Sequence, residues 1–307
     1  MRAFIFPGQG SQAVGMGAAL AGASRAARAV FEEVDEALQQ NLSRLMAEGP
    51  ADALMLTENA QPAIMANALA TLRASGIDLA DKADFVAGHS LGEYSALCAA
   101  GTFDLATTAR LLKLRGKAMQ AAVPVGEGAM AALLGTDLAT AQAIADEAAE
   151  GEICTIANDN DPSQIVISGS RAAVERALVI AKEKGAKRAI LLPVSAPFHC
   201  PLMQPAAEAM AEALEGVEMR PPSLSLYANV TAGPVDSPDT IRQLLVEQVT
   251  GRVRWRESVA AMADAGVTHF VEFGGKVLGP MVKRTAPDVT VTSVVSMDDL
   301  DALVKEI

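Results

Sequence analysis

The chain opens on an unbroken apolar run, Ala3-Phe4-Ile5-Phe6, which stops at Pro7-Gly8-Gln9-Gly10 and gives way to alanine-rich sequence. A short apolar run closed by glycine predicts a buried strand turning into a helical region, the usual start of an α/β fold. Residues 63–74 carry Ala, Ile, Met and Leu on most sides and end at Ser75-Gly76, which predicts a largely buried helix with a glycine stop. A second apolar strand is expected at 84–88 and a helix at 93–100, so Ser90 falls where strand becomes helix.

The rhythm changes at about residue 126. Strands are expected at 129–134, 153–157, 164–168 and 188–194, with helices at 138–149 and 172–184. This is the β-α-β-β-α-β order of a ferredoxin-like unit, which can close its own small sheet. Beyond it, helices at 206–214, 238–249 and 256–265 and strands at 224–229 and 268–273 complete the larger body. The expected architecture is α/β: a discontinuous α/β-hydrolase-like domain with a parallel sheet (1–125 and 196–307) carrying a ferredoxin-like insert (126–195). No internal repeat or low-complexity linker interrupts it.

Composition narrows the function classes. A chain of 307 residues, half hydrophobic and one-fifth charged, is long enough for a main domain plus a smaller one. A net charge of -12 opposes binding to nucleic acid. Cys98, Cys154 and Cys200 are odd in number and lack metal-ligand spacing, so neither a disulfide framework nor a metal site is expected, and a reducing cytoplasm fits. The N-terminal apolar stretch is too short for a signal peptide, and no later run has the length of a membrane span. A monomer is the default expectation.

Gly88-His89-Ser90-Leu91-Gly92 matches G-x-S-x-G, in which a sharp strand-to-helix turn pushes the serine outward and tolerates only glycine where the chain approaches itself. Helix-start N–H groups beyond it would stabilise an oxyanion, an effect worth roughly 3–4 kcal/mol per donor. A neutral serine also needs a base. Of the three histidines, His89 adjoins Ser90 and is better placed to brace the turn or touch substrate, while His269 sits in an apolar strand as a core residue. His199, in the Pro-flanked loop Ser195-Ala196-Pro197-Phe198-His199-Cys200-Pro201, is the expected base. Whether a carboxylate or a backbone carbonyl orients its ring is open at this point.

Along the helical stretch 105–120, Arg115 lies three or four positions from Leu111, Leu112, Ala118 and Met119, on the apolar side. A buried cation must be paired. It serves either a structural salt bridge or a carboxylate supplied by substrate and gripped by the guanidinium fork. The second option points from simple ester hydrolysis toward transfer of a dicarboxylic half-thioester.

Taken together, Phe6-Pro7-Gly8-Gln9-Gly10-Ser11-Gln12, Gln61-Pro62-Ala63, Gly88 to Tyr94, Arg115, Asn158-Asp159-Asn160, Val166 to Gly169, Pro197 to Cys200 and Val246-Glu247-Gln248 run nearly end to end. In this order the sequence resembles the malonyl-CoA:acyl-carrier-protein transacylases and the related polyketide acyltransferase domains. The resemblance implies Ser90 as nucleophile, His199 as base oriented by the backbone carbonyl of Gln248, and an oxyanion hole from the amides of Gln9 and Leu91. It implies Arg115 on the malonyl carboxylate, with Gln61, His89 and Asn160 in the site and Phe198 as a feature that goes with malonyl. Physically, a ring there would crowd an added methyl, a discrimination of about 1–3 kcal/mol.

Malonyl-CoA and acyl carrier protein are the implied partners, with no cofactor beyond the acceptor's phosphopantetheine. A carrier expected to be acidic would dock on a local basic patch, either Lys182, Lys184, Lys187 and Arg188 or Arg252, Arg254 and Arg256. A polyketide or malonate-decarboxylase acyltransferase, a serine esterase or thioesterase, and a non-catalytic relative are the alternatives.

Overall fold

A computed structural model describes residues 1–307. The first strand, β1 (Arg2–Phe6), is buried from Ala3 onward because it lies inside a sheet covered on both faces. Its sheet also contains β2 (Phe85–Gly88), β7 (Ser225–Ala228), β8 (Gly233–Val235), β9 (His269–Phe273) and β10 (Thr290–Val294), in the order β10-β9-β1-β2-β7-β8. Every pairing is parallel except the β7–β8 hairpin. Phe4 and Phe6 point into the core shared with the helices Thr57–Ser75, Leu91–Ala99 and Leu105–Ala121, whereas Ala3 and Ile5 face Trp255, Val259 and Phe270. The two-residue alternation buries both sides, which is why the strand is apolar without a break.

The register pairs Phe6 with Gly88, so β1 and β2 end at the same level and the turns that follow them meet. In open parallel sheets, ligands bind outside the carboxyl ends of the strands. Gln9 and Ser90 stand at that edge.

The second sheet consists of β3 (Gly128–Leu134), β4 (Cys154–Asp161), β5 (Gln164–Ser170) and β6 (Arg188–Leu191), fully antiparallel in the order β4-β5-β3-β6. Ala131, Leu133, Ile156, Ile165 and Ile167 pack under the helices Leu138–Ala149 and Arg171–Glu183. On the opposite face Met130, Ala132 and Val166 join the core of the larger body. Along β4 the two parts are stitched together: Asp159 N donates to Val253 O (2.9 Å) and Val253 N to Ala157 O (2.8 Å). Arg256 donates to both oxygens of Asp159 (2.8 Å at the shortest) and Arg284 to Asp161 (2.8 Å), both carboxylates being fully buried. The β6 edge is free, and Ile190 and Leu191 are exposed.

Several elements differ from expectation. The helix placed at 63–74 begins at Thr57 and accommodates Pro62. The strand placed at 188–194 stops at Leu191, because Pro193 has no N–H with which to continue the ladder. The strand placed at 153–157 runs on to Asp161 through two register shifts, and this extension carries Asn158, Asp159 and Asn160. Strand β10 and the helices Leu278–Thr285 and Met297–Glu306 were not anticipated.

Candidate active site

The turn at Ser90 is as tight as its glycines imply. Ser90 has φ 55° and ψ -112°, in the left-handed half of backbone space, and it caps the helix Leu91–Ala99. A Cβ at Gly88 would lie 1.9 Å from Gly92 O, and one at Gly92 would lie 2.2 Å from Phe6 O. Asn229, at the end of β7, pins the turn by accepting from Ser90 N (2.8 Å) and donating to Gly88 O (2.7 Å).

Ser90 Oγ is 2.8 Å from His199 Nε2, and His199 Nδ1 is 2.8 Å from the backbone oxygen of Gln248. A carbonyl only accepts, so Nδ1 carries the hydrogen and Nε2 is left to accept the serine proton. His199 itself has φ 56°, in a loop held by the Cys200 thiol on Pro197 O (3.2 Å). Gly128 makes room for that loop, since a Cβ there would lie 2.3 Å from the Pro197 ring. Burial, reinforced by the Arg115 cation, pushes His199 down to about 3, so the ring is neutral at physiological pH.

The backbone N–H groups of Gln9 and Leu91 find no acceptor within the chain, and both residues border the same cleft. Gly8 brings the first turn against the second, since a Cβ there would meet His89 O at 2.6 Å. Two free donors on the cleft that holds Ser90 are candidates for an oxyanion hole.

Arg115 is 1% exposed, and its side-chain hydrogen-bond acceptors are neutral: Gln61 Oε1 at 2.7 Å, Gln248 Oε1 at 2.8 Å and Ser90 Oγ at 3.1 Å. The Tyr94 ring lies 5.7 Å from its Cζ. A structural salt bridge, the alternative left open by the sequence, is not what holds it. A buried guanidinium partnered by neutral oxygens keeps the capacity to take an anion.

The other expected site residues converge on the same cleft of about 320 Å³, between the carboxyl edge of the large sheet and the inner face of the small one. His89 Nε2 pairs with Asn160 Oδ1 (2.8 Å), which fits a bracing role, and Phe198 is buried in the wall. Gln61 connects through Thr57 Oγ1 (3.1 Å) to the side chain of Gln9 (3.3 Å), linking the Arg115 fork to the first turn. His269 is elsewhere: it accepts from Arg2 Nε (3.2 Å) at the amino ends of the strands.

Three participants had no role in the sequence reading: Asn229, Thr57 and Glu93. Asn229 and Glu93 make their contacts with residues distant in sequence, and Thr57, besides its near neighbour Gln61, reaches Gln9 48 positions away. Glu93 Oε2 accepts from Gln248 Nε2 (2.8 Å) and Asn229 N (3.2 Å). Burial outweighs those bonds and the pull of Arg115, and pushes its carboxyl up to about 7. An acid raised in the folded state contributes stability below its unfolded value and loses it as pH climbs toward 7. Glu93→Gln is therefore expected to flatten the decline in Tm between pH 5 and pH 8; an unchanged slope would count against this assignment.

One expected basic patch is already spent. Arg252 and Arg254 pair with Glu257, and Arg256 with Asp159, so the cluster near Gln248 offers little free charge. On the insert, Lys184 pairs with Glu147, while Lys182, Lys187 and Arg188 are exposed. No group of three or more His, Cys, Asp or Glu is arranged to hold a metal ion, and no helix is long and apolar enough to cross a membrane.

The acyl transferase domain family matches residues 3–287. The chain is 46% identical over 287 residues to the malonyl CoA-acyl carrier protein transacylase of Bacillus subtilis (strain 168), covering 92% of this chain and 89% of that one. It is 44% identical over 292 residues to the protein of the same name from Escherichia coli (strain K12), covering 95% and 94%. Among solved structures, it superimposes on acyl-carrier-protein-S-malonyltransferase from Bartonella henselae with TM-score 0.97 and 53% identity, covering 99% and 98%. A malonyl-transacylase solved in complex with a type II PKS acyl-carrier protein matches with TM-score 0.97 and 40% identity, covering 100% and 99%.

Proposed function

Because the chain belongs to the acyl transferase domain family, we propose that it carries malonyl from malonyl-CoA to the phosphopantetheine thiol of acyl carrier protein, in fatty-acid synthesis, through an ester on Ser90. The observation that carries this reading is Arg115, a buried cation among neutral oxygens 3.1 Å from Ser90 Oγ. A carboxylate one methylene beyond the reacting carbonyl would lie within its reach. A plain esterase or thioesterase has no use for such a group.

In the first half-reaction Ser90 Oγ attacks the thioester carbonyl and its proton passes to His199 Nε2. The carbonyl oxygen takes negative charge against the amides of Gln9 and Leu91. Collapse breaks the C–S bond, and the CoA sulfur leaves with the proton from His199. The carrier's thiol then repeats the sequence in reverse, giving its proton to His199 as its sulfur attacks the ester. Gln248 fixes the imidazole, while Gln61 and Asn160 line the acyl chamber. Phe198 crowds the α-carbon and favours malonyl over branched analogues. The scheme needs no further cofactor.

The antiparallel order β4-β5-β3-β6 supports the ferredoxin-like reading of 126–195, and the largely parallel six-stranded sheet with its serine turn supports the hydrolase-like reading of the remainder. Three free cysteines fit a cytoplasmic setting. The test is direct: incubated with malonyl-CoA and no acceptor, the protein is expected to gain one malonyl group, mapped by peptide mass to Ser90, and Ser90→Ala to gain none. Malonyl on any other residue, or free malonate released without an adduct, would refute the scheme.

A further inference from the structure

Arg115 is more than a clamp beside the reacting atoms. Its Nη2 donates to Ser90 Oγ (3.1 Å) and to Gln248 Oε1 (2.8 Å), and Gln248 is the residue whose backbone oxygen holds His199 (2.8 Å). The cation therefore touches the nucleophile directly and reaches the base through a single residue. We propose that the carboxylate of the incoming acyl group switches on the Ser90–His199 pair by pairing with Arg115, so that acyl groups without a carboxylate are rejected in the rate of ester formation and not only in binding.

The chemistry of the first step explains why. As the Oγ–C bond forms and the carbonyl π pair moves onto oxygen, the hydroxyl proton moves to His199 Nε2 and the ring becomes a cation. That second cation would form in a buried site next to the first, where like charges repel far more than in water. The other titratable groups nearby do not relieve the conflict. His89 is kept neutral by burial and is committed to Asn160, and Tyr94 is likewise held neutral. Glu93 stands behind Gln248 and holds its own charge poorly. Burial and the Arg115 charge are the two largest influences depressing His199.

The carboxylate of malonyl supplies the missing negative charge. Taking the Nη2 hydrogen that rests on Ser90 also frees an Oγ lone pair for attack. Acetyl brings the same carbonyl without that charge, and meets a base that remains weak. The substrate thus completes the electrostatics of the site it reacts in.

This inference rests on the malonyl-serine reading, and the test separates the two. Single-turnover ester formation on the intact protein is followed against pH with saturating malonyl-CoA and with saturating acetyl-CoA, the latter with and without formate as a free carboxylate. The acid limb for malonyl is expected to lie about one to three pH units above that for acetyl. At pH 7, formate is expected to speed acetyl-serine formation by about tenfold. In Arg115→Met formate should lose its effect; the wild-type arms stand on their own if that variant folds poorly. Coincident limbs together with formate that only competes would overturn the inference and leave Arg115 a simple clamp. Absence of any malonyl ester would overturn the proposed function along with it.

Discussion

Replacing His199 with alanine is expected to slow malonyl-serine formation by about 10⁴-fold with little change in the concentration of malonyl-CoA needed for half-saturation. No other group is placed to take the proton. Ser90 Oγ has one ring nitrogen within reach, at 2.8 Å. His89 has its Nε2 on Asn160, Arg115 has only donors to offer, and Glu93 is separated from Ser90 Oγ by Gln248. The loss should therefore fall on kcat, because the ring touches the reacting atoms and the Arg115 fork is left in place. Rapid-quench measurement of the first turnover provides the check. A loss of less than tenfold would mean that another base serves Ser90.

Gly92→Ala is expected to destabilise the fold by at least about 3 kcal/mol. The added Cβ would sit 2.2 Å from Phe6 O and 2.8 Å from Pro7 O, both backbone atoms at the end of a strand in the middle of the sheet. Neither can swing aside as a side chain would. Gly22→Ala is the control: that helical position has nothing within 4 Å of the new carbon and should be neutral or slightly stabilising. Urea unfolding of the two variants side by side tests the contrast. Equal midpoints would show that the turn has more slack than its distances imply.

Much of the candidate site was legible because its signals are local. The serine turn is carried by glycines two positions either side of Ser90, the candidate base His199 followed from there being three histidines, and Arg115 stood out as a charge on an apolar helical stripe. What orients His199 was not legible from the residues themselves: a backbone oxygen leaves no mark in a sequence, and Gln248 was named only through the family resemblance. Asn229, Thr57 and Glu93 escaped for a related reason, since a hydrogen bond between residues 139 positions apart, such as Ser90 N to Asn229, has no periodicity.

In the fold, the apolar runs of β1 and β2 were readable because both faces are buried. β10 was missed because an edge strand with the sequence Thr290-Val291-Thr292-Ser293-Val294 is only partly covered and carries a weak pattern. The arginines at 252, 254 and 256 looked like a free basic surface because their acidic partners, Glu257 and Asp159, could not be assigned from composition.

The stitching along β4 has a consequence for anyone wishing to move the small sheet into another protein. Asp159 and Asp161 are fully buried carboxylates whose counter-charges, Arg256 and Arg284, belong to the larger body, and Val253 completes the backbone ladder beside them. Excised alone, the segment would lose both ion pairs, expose Met130, Ala132 and Val166 and leave an open strand edge, of which the apolar face and the edge are liabilities for solubility and refolding. The small sheet is therefore not a portable cassette. A chimera that borrows it would have to borrow Val253, Arg256 and Arg284 as well.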